Sequence, residues 1–362
     1  MLYTVKRLAL GVFLIALTSA ILLFADREHR AASTRTVLRL AIVQHANTAV
    51  LDDGVRGVID GLAARGFRDG NRIAIDHFNA QGDMPTGIAI AKQVTSGDYD
   101  LVITSSTPSM QAIANNNRDG QVRHVFTLVA DPFASGVGLD RTKPLNHPRY
   151  MVGQGSFPPV EKAFQLARGM LAGLQRIGVA WNPSESNSLA FVKKAREVSA
   201  AMGLTLLEAN ADNTSAVSDA INSLIGRDAQ AIWIGGDNTV IAAVDSVIAI
   251  ARRMGVPVFT ILPGVPDRGT LFDAGPNFYE VGRQGGILAA DVLEGADMTR
   301  IPIRDVLDIV PPYLSVNTTV LRGLKERWRM PDDILHEANV IVDDKGIQRK
   351  AAGERSATAG QR

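Results

Sequence analysis

The sequence contains no cysteine, and this absence removes several kinds of chemistry at once. Without thiols the chain has no disulfide, no zinc–thiolate site, no cysteine nucleophile and no cysteine for lipid attachment. Aromatic residues are sparse, at 6% of 362 residues, and the formal net charge at pH 7 is only +1. A nearly neutral chain offers no electrostatic reason to bind nucleic acid, and we expect none as a partner.

Sequence signatures of common catalytic sites are lacking as well. The chain has no G-x-S-x-G nucleophile elbow, no phosphate loop of the G-x-x-x-x-G-K type and no H-E-x-x-H zinc motif. The segment 153–155 is too short for a dinucleotide fingerprint, and the six histidines are scattered along the chain. We therefore expect the protein not to be an enzyme, and we predict neither a metal site nor an organic cofactor.

The first feature that the sequence does contain is an apolar N-terminal segment. Lys6 and Arg7 precede an almost unbroken apolar run over 8–25, and a polar spacer follows it. A basic flank before an apolar core is typical of an export signal. The length of the run lies between secretory cores and membrane spans, so 1–35 is a signal anchor or a signal peptide plus spacer. Either interpretation predicts a periplasmic or extracytoplasmic protein, tethered to the inner membrane by 8–25 if the segment is retained.

The rest of the chain repeats one pattern. In 39–80 an apolar strand, a polar loop, an amphipathic helix and a second strand follow one another, and 176–209 repeats that order. The continuation DLVITSSTPSMQAIA has its counterpart in AIWIGGDNTVIAAV. Alternating strands and helices indicate parallel sheets built from β-α-β units. The sequence therefore predicts an α/β protein with two lobes, each a parallel sheet flanked by helices, and a ligand cleft between the lobes.

The pattern continues towards the C-terminus. One helix is predicted over 238–254, another over 278–294, a short strand over 306–310 and a last helix over 318–328. From Gly346 the sequence is small, charged and without periodicity, which predicts a disordered tail.

Polar loops follow the strands of both copies, and they supply the candidate binding residues. In open parallel sheets, ligands bind beyond the carboxyl ends of the strands, where unpaired amides and the positive end of the helix dipole lie. The candidates carry hydroxyl, amide or carboxylate groups: Gln44, Ser105, Ser106, Thr107, Asp131, Asn182, Ser184, Asn187, Asp237 and Asn238. This mixture suits a small organic solute.

Two of these loops have two interpretations each. The hydroxyls of 104–107 lie at a predicted helix start and suit a carboxylate or phosphate, but N-capping of that helix needs only one of them. Asp237 follows two glycines and opens a helix, so it is either an N-cap or the partner of a ligand ammonium or hydroxyl group. The glycines permit close backbone approach and favour the ligand role.

Six segments together make the chain similar to a known family: DGVRGVIDGLAARGFRDGNRIAIDHFNAQGD, ITSSTPSMQA, FTLVADPFASG, RIGVAWNPSESNS, AIWIGGDNTV and FYEVGRQGGILAADVLEGAD. From about Val37 to Arg329 the sequence resembles the ABC-transporter substrate-binding family that includes tryptophan- and tyrosine-type binding proteins. The resemblance implies the type I periplasmic binding-protein fold, a small-molecule ligand and ABC permease subunits as partners.

The resemblance also implies how the chain divides. Lobe 1 is expected at 36–152 and 275–300, and lobe 2 at 153–274 and 301–330. A partly disordered C-terminal extension is expected at 331–362.

Residue roles follow from the same resemblance. Ser105, Ser106 and Thr107 would bind a ligand carboxylate, and Asp237 would bind an ammonium group. The remaining second-lobe candidates would approach the same ligand: Asn182, Ser184, Asn187 and Asn238. The chain departs from the family at 261–264, where Ile-Leu-Pro-Gly stands in place of a polar loop and makes one cleft wall more apolar.

The predicted function is the extracytoplasmic solute-binding component of an ABC importer, a monomer that closes on an amino acid or similar small carboxylate. The alternative is a membrane-anchored sensing module that signals to a partner protein, which retention of the N-terminal segment would favour. An enzyme of unrecognised type would need a perturbed acid–base pair deep in the cleft. A repressor is excluded because an apolar segment occupies the place of a DNA-binding headpiece.

Overall fold

The structure, a computed structural model, describes residues 37–262 and 268–350 together with the isolated pair Thr18 and Ser19. Apart from that pair, the apolar segment predicted at 8–25 lies outside the described residues. Within the described ranges, every helix is too short or too polar to span a bilayer.

Strands occupy fourteen segments of the described chain: β1 (Leu38–Gln44), β2 (Ile73–Asn79), β3 (Leu101–Ser105), β4 (Arg123–Val129), β5 (Met151–Gly155), β6 (Arg176–Trp181), β7 (Thr205–Asn210), β8 (Ala231–Ile234), β9 (Val258–Thr260), β10 (Phe272–Pro276), β11 (Arg304–Asp305), β12 (Pro312–Asn317), β13 (Val340–Asp343) and β14 (Gly346–Arg349). The α-helices of these ranges are α1 (Ala49–Ala64), α2 (Met84–Ser96), α3 (Thr107–Asn116), α4 (Val160–Met170), α5 (Ser186–Met202), α6 (Val217–Gly226), α7 (Asn238–Ala242), α8 (Val244–Arg253), α9 (Phe278–Leu293) and α10 (Asp332–Glu337).

The strands form two sheets. The first has the order β11-β5-β4-β3-β1-β2, and the second has the order β14-β13-β12-β10-β9-β8-β6-β7. The central pairs of the first sheet are parallel, as are β7-β6-β8-β9-β10 in the second. Only at the far edge of the second sheet do β12 and β14 pair antiparallel with β10 and β13. The α/β fold with two parallel sheets flanked by helices is therefore confirmed.

The central strands are buried because helices cover them. Every residue of β3 (LVITS) and β8 (AIWI) is buried, as expected for apolar runs in a parallel sheet covered on both faces. Aromatic rings pack against the second sheet, where the ring centroids of Phe164 on α4 and Trp233 on β8 lie 5.2 Å apart and those of Phe259 and Phe272 lie 4.9 Å apart. Burying each such ring contributes about 1.5–3 kcal/mol.

Helices α1 and α9 pack with their backbones in close contact. A Cβ atom at Gly57 would lie 2.0 Å from the Tyr279 carbonyl oxygen, and one at Gly282 would lie 1.9 Å from the Gly54 carbonyl oxygen. Only glycine allows such an approach. Since α9 follows β10 of the second sheet and α1 follows β1 of the first, this contact brings the starts of the two helices together.

Four predicted elements differ from the structure. The helix predicted over 238–254 is divided at Ala243 into α7 and α8, and 318–328 is not an α-helix but starts with a short 3-10 turn after β12. The strand predicted over 306–310 is replaced by β11 and a 3-10 turn. Gly346–Arg349 forms β14 on the edge of the second sheet. β11 forms by pairing with β5, which is distant in the sequence, and β14 forms by pairing with β13. Local periodicity records neither pairing.

Candidate functional site

A cavity lies where the loops that follow strands of the first sheet meet those of the second. Its polar lining comes from Thr48, Ser106, Thr107, Ser156, Asn187 and Asn238. Its apolar lining comes from Val50, Leu51, Leu128, Ala130, Pro158, Phe191, Gly236, Ile241, Leu262 and Phe278. None of these described lining residues has a charged side chain, so the cavity suits a ligand whose side chain is apolar.

The first-sheet wall of the cavity is the start of α3. Ser106 caps this helix in a strained left-handed conformation (φ +120°), and its Oγ accepts a hydrogen bond from the Ser109 amide at 3.3 Å and donates one to Ser109 Oγ at 3.2 Å. Thr107 Oγ1 accepts a hydrogen bond from the Ala130 amide at 3.2 Å, so its hydroxyl hydrogen can be donated to a ligand. Hydroxyls at the positive end of a helix suit a carboxylate.

The opposite wall is formed by Asn187 near the start of α5. Its Nδ2 donates to the Gly236 carbonyl oxygen at 2.6 Å and to Glu185 Oε2 at 3.1 Å. Because both partners are acceptors, the amide orientation is fixed and Oδ1 is the remaining group. Asn187 Oδ1 is buried and has no donor among the described residues. A ligand N–H group in the cavity would satisfy this oxygen.

Glu185 supports the wall from behind. Its carboxylate accepts hydrogen bonds from the amides of Asn238 and Thr239 at 3.0 Å each, and from their side chains at 2.7 Å. Glu185 was not among the residues predicted from the sequence, although it lies inside the NPSESN loop. Its role is to tie the start of α7 to the start of α5 and thereby to hold Asn187 in place.

Asp237 is the N-cap of α7 and faces the protein interior. Its carboxylate accepts hydrogen bonds from the Asn182 amide at 2.6 Å, from Ser188 Oγ at 2.5 Å and from the Val240 amide at 2.7 Å. Burial, together with the negative charge of Glu185, raises the pKa of Asp237 to about 7, although these hydrogen bonds oppose the shift. Asp237 is 2% exposed and does not line the cavity, so the N-cap interpretation describes its position.

Three candidates in loops that follow strands of the first sheet do not line the cavity either. Gln44 donates its side-chain amide to Asp52, and the Asp131 carboxylate is bound by Arg141 and by two amides of its own turn. Ser105 is fully buried at the end of β3. These residues shape the loops behind the cavity wall.

Asn182 and Ser184 line a second, outer cavity that shares Asn238 with the inner one. At its rim Ser186 Oγ donates to Gln111 Oε1 at 3.1 Å, which joins the start of α5 to α3 across the two sheets. His45 also lines this outer cavity, and burial lowers the pKa of its imidazole while Glu185 and Asp83 oppose that shift. Of the ten candidates, the structure brings Ser106, Thr107, Asn187 and Asn238 together on the inner cavity.

Several lining residues were not predicted from the sequence. Phe191 lies one helical turn after Asn187 and could have been found from the i, i+4 spacing. Leu262 belongs to the apolar segment that was expected to form one cleft wall, and it does line the cavity. No sequence pattern indicates that Leu128 and Phe278 line the cavity. The position of Leu128 depends on the irregularity of β4, and that of Phe278 depends on the contact between α1 and α9.

The family of ABC transporter substrate-binding proteins matches this chain over residues 39–342. The "Tyrosine-binding protein" of Clostridioides difficile (strain R20291) is 28% identical over 312 residues, which cover 86% of this chain and 87% of that protein. A conserved domain protein from Vibrio cholerae O1 biovar El Tor has 27% identity and a TM-score of 0.78, with 84% of this chain and 99% of that chain covered.

A third similarity is to the ABC domain from Streptococcus pneumonia, solved in complex with L-Trp. Its TM-score is 0.77 at 22% identity, with 84% of this chain and all of that chain covered, and it shows the fold. The match over most of the chain, together with two parallel sheets whose loops enclose a common cavity, shows that the chain belongs to the ABC transporter substrate-binding protein family.

Proposed function

We propose that this protein is the extracytoplasmic solute receptor of an ABC importer, and that its ligand is an amino acid with an apolar, preferably aromatic side chain. Substrate-binding proteins of ABC transporters are extracytoplasmic, bind small molecules without converting them and work with permeases. The observation that supports the ligand class is the buried Asn187 Oδ1, which has no hydrogen-bond donor among the described residues, on a residue that lines the same cavity as Ser106 and Thr107.

The cavity offers a separate place for each part of such a ligand. The carboxylate would accept a hydrogen bond from Thr107 Oγ1 at the start of α3, and a second from Ser106 Oγ after that hydroxyl rotates away from Ser109 Oγ. The ammonium group would donate to Asn187 Oδ1. The side chain would lie among Leu128, Phe191 and other apolar residues, where an aromatic pair contributes about 0.5–1.5 kcal/mol beyond burial. The L-Trp and tyrosine ligands in the names of two relatives agree with this class.

We also propose that the two sheets form two lobes that close on the solute. We assign the first sheet to lobe 1 and the second sheet to lobe 2, with the cavity in the cleft that closes on the solute. Ligand binding shifts the equilibrium between open and closed lobes towards closure only if the closed state binds the ligand more tightly. The membrane-anchored sensing module would use the same cavity but would signal to a partner protein instead of delivering the solute to a permease. Retention of residues 8–25 in the mature protein would favour this module or a tethered receptor.

A panel of ligands tests the ligand class. The full-length chain is titrated by calorimetry with L-tryptophan, L-tyrosine, L-leucine, L-lysine and L-glutamate, and with tryptamine and indole-3-propionate, which lack the carboxylate and the ammonium group respectively. We expect the aromatic amino acids to bind and both charged amino acids and both truncated analogues to bind at least about tenfold more weakly. At 100 times the dissociation constant, a ligand should stabilise the fold by about 2.7 kcal/mol. Preference for a charged amino acid would contradict the proposal.

The role of Asn187 is tested by Asn187→Leu, which removes the acceptor at nearly constant size. We expect the affinity for the best amino acid to fall at least about tenfold, because the ammonium group then has no partner. Ser199→Ala is the matched control, since Ser199 lies on the same helix with a buried and unpaired Oγ outside the cavity. Equal losses in both variants would show that the effect is not local to the site.

A further inference from the structure

The inner cavity has one lining residue with an unusual backbone. Leu128 adopts a left-handed conformation (φ +53°), which a branched side chain rarely adopts. The pairing of β4 with β5 shifts there, so that Thr127 and Leu128 together lie opposite the single residue Gln154. Such bulges re-orient side chains, and strained residues cluster at functional sites.

Hydrogen bonds to the residues on both sides of Leu128 stabilise its strained backbone conformation. The Ser106 amide donates to the Thr127 carbonyl oxygen at 3.2 Å, and the Ser156 amide donates to the Val129 carbonyl oxygen at 2.8 Å. The Ala130 amide donates to Thr107 Oγ1 at 3.2 Å. The bulge is thus bonded to the same hydroxyl residues that line the cavity, and Leu128 cannot return to a regular strand without moving them.

The side chain of Leu128 packs against a glycine of α1. A Cβ atom at Gly54 would lie 2.2 Å from Leu128 Cδ2 and 2.8 Å from Cδ1. Gly54 itself does not line the cavity. Leu128 therefore stands between a helix backbone behind it and the ligand space in front of it, and its side chain would have to move towards the ligand if Gly54 gained a methyl group.

We propose that Leu128 is a specificity-determining residue that sets the size of ligand side chain the cavity accepts, and that Gly54 provides the space into which Leu128 packs. The inference rests on the proposed function, because it concerns the same cavity. Gly54→Ala should narrow the cavity without changing any lining residue. Removing the Leu128 side chain in the same protein should restore the space.

The test compares L-tryptophan with L-valine by calorimetry on the wild type, Gly54→Ala, Leu128→Ala and the double variant. We expect Gly54→Ala to weaken L-tryptophan at least about tenfold while L-valine changes less than about threefold, and the double variant to recover L-tryptophan to within about threefold. Gly87→Ala on α2 is the matched control, because its Cβ would meet only Ala80 Cβ at an ordinary 3.5 Å. A double variant as weak as Gly54→Ala would overturn the proposal.

Two further outcomes are decisive. If Gly54→Ala does not fold, Leu128→Ala alone must raise the ratio of L-tryptophan to L-valine affinity, and an unchanged ratio overturns the proposal. If the wild type binds neither amino acid, the proposed ligand class fails, and the melting temperatures then test the packing. If the double variant regains the melting temperature that Gly54→Ala loses, the Gly54–Leu128 contact is upheld. If the decreases in melting temperature of the two single variants add in the double variant, the contact is overturned.

Discussion

The loop after β3 and the loop after β8 occupy equivalent places in the two sheets, yet they cap their helices with different groups. In the first, Ser106 caps α3 with a hydroxyl that accepts one backbone hydrogen bond. In the second, Asp237 caps α7 with a buried carboxylate that gathers three donors. The hydroxyl cap leaves the cavity wall neutral, whereas the carboxylate cap joins two loops of the second sheet.

The buried titratable groups extend this difference. On the first sheet, burial lowers the pKa of His124 to about 3, and Thr104 Oγ1 lies 2.9 Å from its Nε2. On the second sheet, burial raises the pKa of Asp237 to about 7. The cause is the same in both, because desolvation disfavours the charged form of an acid and of a base. The two sheets should therefore respond to pH in opposite directions.

The largest effect that would test this comparison is the loss of the carboxylate cap. We expect Asp237→Ala to lower the free energy of unfolding by about 3 kcal/mol, because three donors lose their acceptor in a buried site. Ser106→Ala should cost only about 1 kcal/mol, as is usual for a hydroxyl cap. Urea denaturation of both variants measures the difference, and an equal or larger loss for Ser106→Ala would contradict it.

A smaller effect is the pH dependence that Asp237 imposes. Since the pKa of its carboxyl rises from an ordinary value of 3.8 in the unfolded chain to about 7 in the fold, the folded protein holds an extra proton between these values. Its contribution to stability is complete below about pH 4 and is lost as the pH rises to 7. We expect the wild type to lose about 2 kcal/mol relative to Asp237→Asn between pH 5 and 7. Parallel stability curves for the two proteins would contradict the shift.

The smallest effect belongs to His124. In the unfolded chain the His124 imidazole takes up a proton near pH 6.5, but in the folded protein it stays neutral down to about pH 3. The contribution of the neutral imidazole to the free energy of unfolding is therefore lost as the pH falls. Relative to His124→Gln, the wild type should lose about 1 kcal/mol between pH 6.5 and 5.5. Thermal or urea unfolding of both proteins checks the sign, and a gain in wild-type stability over that window would contradict it.

Much of the fold could be predicted because it depends on local sequence patterns. The strand-loop-helix order of 39–80 and 176–209 and the buried runs at β3 and β8 need only neighbouring residues to be recognised. The hairpin of β13 and β14 could not be found in this way, since β14 is exposed throughout and is held by pairing alone. Part of the site was predictable for the same reason, because Ser106, Thr107, Asn187 and Asn238 lie in the expected loops.

By itself, the sequence determined the α/β class, the repeat and the loops that border a cleft, because apolar periodicity and the residues of a loop are local properties. Tertiary structure alone decided which way each side chain in those loops faces. Asp237 faces inward because donors from three separate residues meet at its carboxylate. Leu128 faces the cavity because a bulge turns it and a glycine on another helix leaves it room. Such orientations depend on residues far apart in the chain, which meet only after folding.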